Sequence, residues 1–280
     1  MRRIECKDII SAIKKACMDA NYYIPEDLVS TLKKRYEEET WPMAKNILER
    51  IKENIEIAKK EEIPLCQDTG MVSVFVEIGQ DVQVTGGSLE EAINEGVRQG
   101  YMEGYLRKSV VKDPLNRINT NDNTPAVISY RIVPGNKFKM LIAPKGFGSE
   151  NMSRLKMLKP ADGVQGVKDF VIETVERAGA NPCPPIIVGV GIGGTFDKVA
   201  SLSKKALLRP LGERNKDEFY KDLEEELFYK INKLGIGPQG FGGKTTALAV
   251  NIETYPTHIA GLPVAVNINC HVARYKEVEL

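Results

Sequence analysis

Apolar positions in the first sixty residues recur at helical spacing. Cys6, Ile9, Ile10, Ile13 and Cys17 fall near a 3.6-residue period, which predicts an amphipathic helix with both cysteines on its buried face. Pro25-Glu26-Asp27 predicts a second helix start, because proline suits a first turn and acids favour the positive end of the helix dipole. A third helix follows Trp41-Pro42, with Ala44, Ile47, Leu48, Ile51, Ile55 and Ala58 as its stripe. After Pro64 the pattern changes. Met71 to Ile78 is short and valine-rich, as a strand is, and Ser88-x-x-Glu91 reads as a capping box opening a helix toward Tyr105. Strands are expected at Ala126 to Val133 and Phe138 to Ala143, joined by a Pro-Gly-Asn turn. Helices are expected at Val164 to Ala178 (stopped by Gly179), Asp197 to Leu208 and Asp217 to Leu234, with strands at Ile186 to Val190, Thr246 to Ile252 and Val264 to Ile268. The expected fold is therefore α/β in the mixed α+β sense. A helical N-terminal subdomain, 1–62, precedes a mixed α/β body, 63–280, and the two together make one domain.

The 280 residues are enough to bury a sizeable core, and Lys+Arg 39 against Asp+Glu 38 leaves a net charge of +1. That balance lacks the basic excess of a nucleic-acid or anionic-membrane binder. Apolar runs such as Pro184 to Gly194 fall short of the roughly 18 residues of a transmembrane helix. The first twenty residues carry charges throughout, without the apolar centre of a signal peptide. The expectation is a soluble, cytoplasmic chain with no nucleic-acid and no membrane partner.

Two glycine motifs match familiar patterns by letter only. Gly189-x-Gly191-x-x-Gly194 follows a strand, but the acid in range, Asp217, opens a helix where a dinucleotide fold needs the end of a second strand. A tight glycine turn that brings backbone close to a neighbour is the simpler reading. Gly240 to Thr246 resembles the end of a phosphate-binding loop, yet Pro238 stands where the first glycine belongs. The residues that follow read as strand, where that loop requires helix.

The five cysteines include no CxxC pair, and the only two histidines, His258 and His271, lie close to Cys270. Cys66 sits in Ile63-Pro-Leu-Cys-Gln-Asp-Thr-Gly70, Cys183 in Asn181-Pro-Cys-Pro-Pro185, and Cys270 in Asn267-Ile-Asn-Cys-His271. All three belong to loops or strand ends. Proline there stiffens a ligand loop, and neighbouring N–H groups can stabilise thiolate. Three thiolates are one short of the four that close a structural zinc site or an electron-transfer cluster, and a missing protein ligand leaves one metal open to substrate. From the residues alone, three unrelated thiols explain the same pattern.

Four segments, PLCQDTG (64–70), APKGFGSEN (143–151), the run from Asn181 to Asn215, and THIAGLPVAVNINCHVARY (257–275), resemble class I iron–sulfur fumarate hydratases. More narrowly, the chain is similar to the α subunit of the two-subunit fumarase and L-tartrate dehydratase family, over essentially its whole length. The resemblance implies a [4Fe–4S] cluster held by Cys66, Cys183 and Cys270. It implies substrate contacts by Gln67 and Asp68, a histidine facing substrate at His258, a carboxylate clamp at Arg107 and a backbone N–H contact at Gly148. Lys145 of that last loop joins the substrate-binding set, Asp68 and His258 are the candidate catalytic pair, and Phe147 stands where a small residue is expected. His271 is expected to support the neighbouring thiolate. A small dicarboxylate is the implied substrate and a β subunit carrying the rest of the active site the implied partner, in a hetero-oligomer such as α2β2. The implied reaction is fumarate to L-malate hydration, with L-tartrate dehydration or a non-catalytic metal-binding regulatory role as alternatives.

Overall fold

The computed structural model describes all residues from Met1 to Leu280. The first half of the chain forms β1 (Arg2–Glu5), α1 (Cys6–Tyr22), α2 (Glu26–Glu38), α3 (Pro42–Glu61), β2 (Met71–Gly79), β3 (Val82–Thr85), α4 (Leu89–Glu103), β4 (Val127–Val133) and β5 (Phe138–Lys145). The second half forms α5 (Phe147–Glu150), β6 (Arg154–Leu158), α6 (Gly163–Ala178), β7 (Ile186–Gly193), α7 (Phe196–Ala206), α8 (Glu218–Asn232), β8 (Ala247–Tyr255), β9 (Leu262–Asn269) and β10 (Lys276–Glu279). The architecture is mixed α/β, as the periodicities predict. These elements make two compact units: residues 1–25, 55–147 and 274–280, and residues 26–54 and 148–273.

In the first unit a four-stranded sheet runs in the order β10-β5-β2-β4, antiparallel except for the parallel β2–β4 pair. Alternation along β2 sends Val72, Val74 and Val76 to one face. There they share a core with Ile9, Ile13 and Cys17 of α1, Ile93 and Val97 of α4, and Phe138, Met140 and Ile142 of β5. Both cysteines of α1 are on the buried face, as their spacing predicts. Ser88 caps α4, its Oγ accepting from the Glu91 N–H at 3.4 Å.

The second unit holds a sheet in the order β6-β9-β7-β8, with β7 and β8 parallel and the other pairs antiparallel. Every residue of β7 is buried, which explains its unbroken apolar run. Val188, Val190 and Ile192 form a core with Phe170 and Val171 of α6 and Leu227 and Ile231 of α8. The glycines between them serve the opposite face. A Cβ on Gly189 would lie 2.2 Å from the Ser203 carbonyl oxygen, and one on Gly191 would lie 2.3 Å from that of Val199, both in α7. The letters of a dinucleotide fingerprint are thus a bed for a closely packed helix, and the turn itself falls at Gly193 and Gly194, both with positive φ.

The phosphate-loop look-alike has an equally structural use. Glu39, buried between α2 and α3, accepts from the N–H groups of Thr40 and Trp41 through one oxygen and from the Lys244 N–H at 2.8 Å through the other. A carboxylate of the chain itself fills the glycine turn.

Four strands of four or five residues escape the hydrophobic pattern: β1 and β10 are mostly charged, and β3 and β6 are too short and too interrupted by polar residues to show a period. No helix is long and apolar enough to cross a membrane. Because Gly191 gives α7 its approach, Gly191→Val is expected to overpack that face and cost about 1–3 kcal/mol. Gly212→Ala, where a Cβ meets nothing within 4 Å, should be near neutral. Urea midpoints at unchanged m-value read both; equal midpoints for the two variants would contradict the packing described.

Candidate functional site

In the first unit the candidate residues cluster on the loop entering β2. That loop, 64–70, has no ladder of its own, so its backbone groups need other partners. Leu65 N–H donates to the Asn21 carbonyl at 3.0 Å. The Tyr101 hydroxyl reaches the carbonyls of Thr69 at 2.6 Å and Gly70 at 3.0 Å, and Asn123 Nδ2 donates to the second at 3.1 Å. Burial pushes the Tyr101 hydroxyl well above its ordinary pKa, so it remains a donor. Gly70, at φ +80°, lies flat against Lys145, where a Cβ would come within 2.7 Å of the Lys145 nitrogen.

Asp68 is held at every polar atom of its carboxylate. Oδ1 accepts from the Gly70 N–H at 3.0 Å and Oδ2 from the Phe147 N–H at 2.9 Å. Its carbonyl accepts from Arg274 Nη2, and the same guanidinium donates through Nε to the Pro144 carbonyl at 3.3 Å. Arg274 is buried, with Nη1 left without a partner. Phe147, out of pattern as a side chain, therefore contributes through its backbone. Cys66 is half-buried and its thiol donates to Gln67 Oε1 at 3.3 Å. Arg107 is exposed, and its carbonyl accepts from Thr69 Oγ1 at 2.9 Å, tying its loop to the one before β2. Lys145 is buried, with Nζ donating to the Gly146 carbonyl at 3.3 Å.

In the second unit Cys183 is exposed on the loop between α6 and β7, and Cys270 follows β9 half-buried. His271 Nδ1 lies 3.0 Å from the Cys183 carbonyl oxygen, so the residue beside one cysteine contacts the backbone of the other. Desolvation lowers the His271 pKa below its ordinary value, with the contact to Cys183 opposing it. Gly148 lies in the short turn α5, facing the Asn181 carbonyl of the Cys183 loop. His258 is exposed in the turn between β8 and β9. Its Nδ1 accepts from the Ala260 N–H at 3.2 Å, which leaves the ring proton of the neutral form on Nε2.

Cysteine thiols on loops are the donor chemistry that iron–sulfur ligation uses. Cys66, Cys183 and Cys270 are exposed or half-buried residues on loops and belong to no disulfide, whereas burial pushes the Cys17 thiol up to about 12, which removes it as a thiolate ligand. No three His, Cys, Asp or Glu side chains converge as they would on a single ion. The cysteines of a cluster bind different irons and need not so converge. Pattern reading did not find Tyr101, Asn123, Arg274 or Gln239. Each supports a loop through backbone oxygens, and only the buried polar character of the first three marks them.

Known proteins match along the same length. A profile of the fumarate hydratase (fumerase) family covers residues 10–279. A Methanocaldococcus jannaschii protein provisionally named L(+)-tartrate dehydratase subunit alpha is 46% identical over 262 residues, 91% of this chain and 92% of that protein. The L(+)-tartrate dehydratase subunit alpha of Escherichia coli (strain K12) is 34% identical over 255 residues, 90% of this chain and 84% of its own. The protein of that name from Shigella sonnei shows the same values.

The loop carrying Arg107 is anchored at its far end by Asp122. Burial opposes ionisation there, but the Thr124 N–H and hydroxyl and the Arg98 guanidinium outweigh it and pull the Asp122 carboxyl down from 3.8 to about 2. A depressed folded-state pKa gives stability that is present above the unfolded value and lost as pH falls through the folded one. Asp122→Asn is thus expected to lower the thermal midpoint at pH 6, with the gap to the parent closing between about pH 4 and pH 2. A gap independent of pH would contradict the ionised anchor.

Proposed function

The chain belongs to the fumarate hydratase family as an alpha-type subunit of its hydro-lyases, and from that premise we propose that it hydrates fumarate to L-malate reversibly, with a [4Fe–4S] cluster on Cys66, Cys183 and Cys270 and with a β subunit. The observation that carries this reading is the family match across residues 10–279. Loop placement of three thiols and the doubly held Asp68 carboxylate agree with it.

When bound, a cluster with three protein thiolates supplies one open iron, a Lewis acid toward the oxygen of water or of a substrate hydroxyl. The chain's own groups bind and handle protons. Two backbone N–H groups fix the orientation of Asp68 and partly neutralise its charge, so the carboxylate enters the reaction already positioned. We assign proton transfer at the substrate carbons to Asp68 and His258. His258 presents Nε2–H outward, because Nδ1 is committed to Ala260. Arg107, exposed and with its loop anchored, supplies a guanidinium suited to bidentate binding of a carboxylate. Gln67 adds an amide beside Cys66, and the Gly148 N–H a backbone donor. Lys145 contributes positive charge from its buried position behind Gly146.

L-tartrate is the second reading, favoured by the names of the relatives at 46% and 34% identity. Both reactions exchange water across two adjacent carbons of a four-carbon diacid, and the choice lies in whether a second hydroxyl finds a partner. The test is anaerobic reconstitution of this chain with its β partner, followed by separate incubation with L-malate and L-tartrate. Fumarate from malate is expected, together with about four irons per chain. Iron should be lost in Cys66→Ser and kept in Cys6→Ser. Consumption of tartrate alone would move the assignment to the second reading, and iron retention in Cys66→Ser would refute the ligand set.

A further inference from the structure

The Cys183 loop is short of donors. Pro182, Pro184 and Pro185 lack N–H groups, and the Cys183 N–H is spent on the Ala180 carbonyl at 3.0 Å. Cys183 itself has φ +54°, a left-handed conformation that a non-glycine residue keeps only where its surroundings enforce it. The carbonyls of this segment must therefore be held from outside. Two residues do so. Gln239, in the tight turn 238–240, gives both its backbone N–H and its Nε2–H to the Pro184 carbonyl, each at 2.8 Å. His271 lies with Nδ1 3.0 Å from the Cys183 carbonyl oxygen and 3.3 Å from Gln239 Nε2.

The contact to Cys183 fixes where one ring proton sits. A carbonyl oxygen accepts and cannot donate, so Nδ1 carries the proton where it meets Cys183. The Gln239 amide nitrogen donates to the Pro184 carbonyl, so with the proton on Nδ1 its 3.3 Å approach to the ring is a packing contact and not a hydrogen bond. Glycine makes the backing turn possible: a Cβ on Gly240 would lie 2.4 Å from Ala180 Cβ, at the base of the same loop.

We propose that His271, donating Nδ1–H to the Cys183 carbonyl, is the positioning residue that fixes the Cys183 backbone, and so its thiol, relative to Cys270, its own chain neighbour. The proposal rests on the reading of Cys183 and Cys270 as cluster ligands. Its consequence is that retention of iron depends on a donor at the Nδ1 position, not on the bulk of an imidazole.

The experiment uses the α chain reconstituted with iron and sulfide in the presence of its β partner, comparing His271→Ala, His271→Asn and Cys183→Ser with the parent. Asparagine places an N–H close to where Nδ1–H was. Iron per chain, the decay of the cluster's visible absorbance in air, and the thermal midpoint of the iron-free chain are measured. His271→Ala is expected to lose its cluster roughly 10-fold faster than the parent with an iron-free midpoint close to it, in line with the usual effect of removing a residue that orients a ligand. His271→Asn is expected to recover most of the parent's lifetime. Parent-like decay in His271→Ala, with iron lost in Cys183→Ser, would overturn the positioning role while leaving the ligand reading intact. Equal impairment of the Ala and Asn variants with a matching fall in the iron-free midpoint would also overturn it, by showing the ring to be structural filler. Full iron in Cys183→Ser would remove the ligand reading, and the proposal with it.

Discussion

A loop inside a folded protein keeps its shape only if its buried backbone oxygens find donors. That requirement governs every candidate residue in this chain, because none of the proposed chemical side chains lies within a long helix or the interior of a strand. Thr69 and Gly70 are held by Tyr101 and Asn123, Asp68 and Pro144 by Arg274, and Pro184 by Gln239. In each case a buried or half-buried polar side chain reaches into the loop from an element distant in sequence. Leaving such a carbonyl unpaired costs about 1–3 kcal/mol, so these contacts select one loop conformation among many.

The two units meet the requirement from different frames. In the first, α1 and α4 share a core with the sheet, and the supporting hydroxyl comes from α4 itself, where Tyr101 is the largest fully buried side chain. In the second, the central strand is buried on both faces. Glycines at 189 and 191 let α7 approach one face, while branched residues at 188, 190 and 192 fill the other. A residue with a side chain at 189 or 191 would lift α7 from the sheet. Alternation of glycine with valine and isoleucine is thus a packing code for a three-layer arrangement.

Elements with a strong apolar period were legible from sequence to within a few residues: all three N-terminal helices, the helix capped by Ser88, and the strands at Met71, Ile186 and Val264. The short strands were not. Arg2–Glu5 and Lys276–Glu279 contain charged residues at most positions and exist only because a neighbouring strand offers partners, Val82–Thr85 for the first and Phe138–Lys145 for the second. The likeness carried by Cys66, Cys183 and Cys270 was equally legible, since short motifs around each survive as letters. Arg274 was not, because nothing local distinguishes a guanidinium that holds two carbonyls from one in solvent.

The fates of the five cysteines follow from the same physics. Cys6 and Cys17 lie on the helical stripe, and burial makes the thiolate of Cys17 inaccessible near neutral pH. The other three stand where regular structure ends, with sulfur at least partly open. A metal ligand must ionise and still be held, two demands that conflict in an apolar core and are met separately on a loop. Donors to the loop backbone, such as Gln239 on Pro184 and Arg274 on Asp68, supply rigidity there without covering the loop. On the proposed reading of these cysteines as ligands, a residue that holds a cysteine loop by its carbonyls positions the ligand without occupying its sulfur.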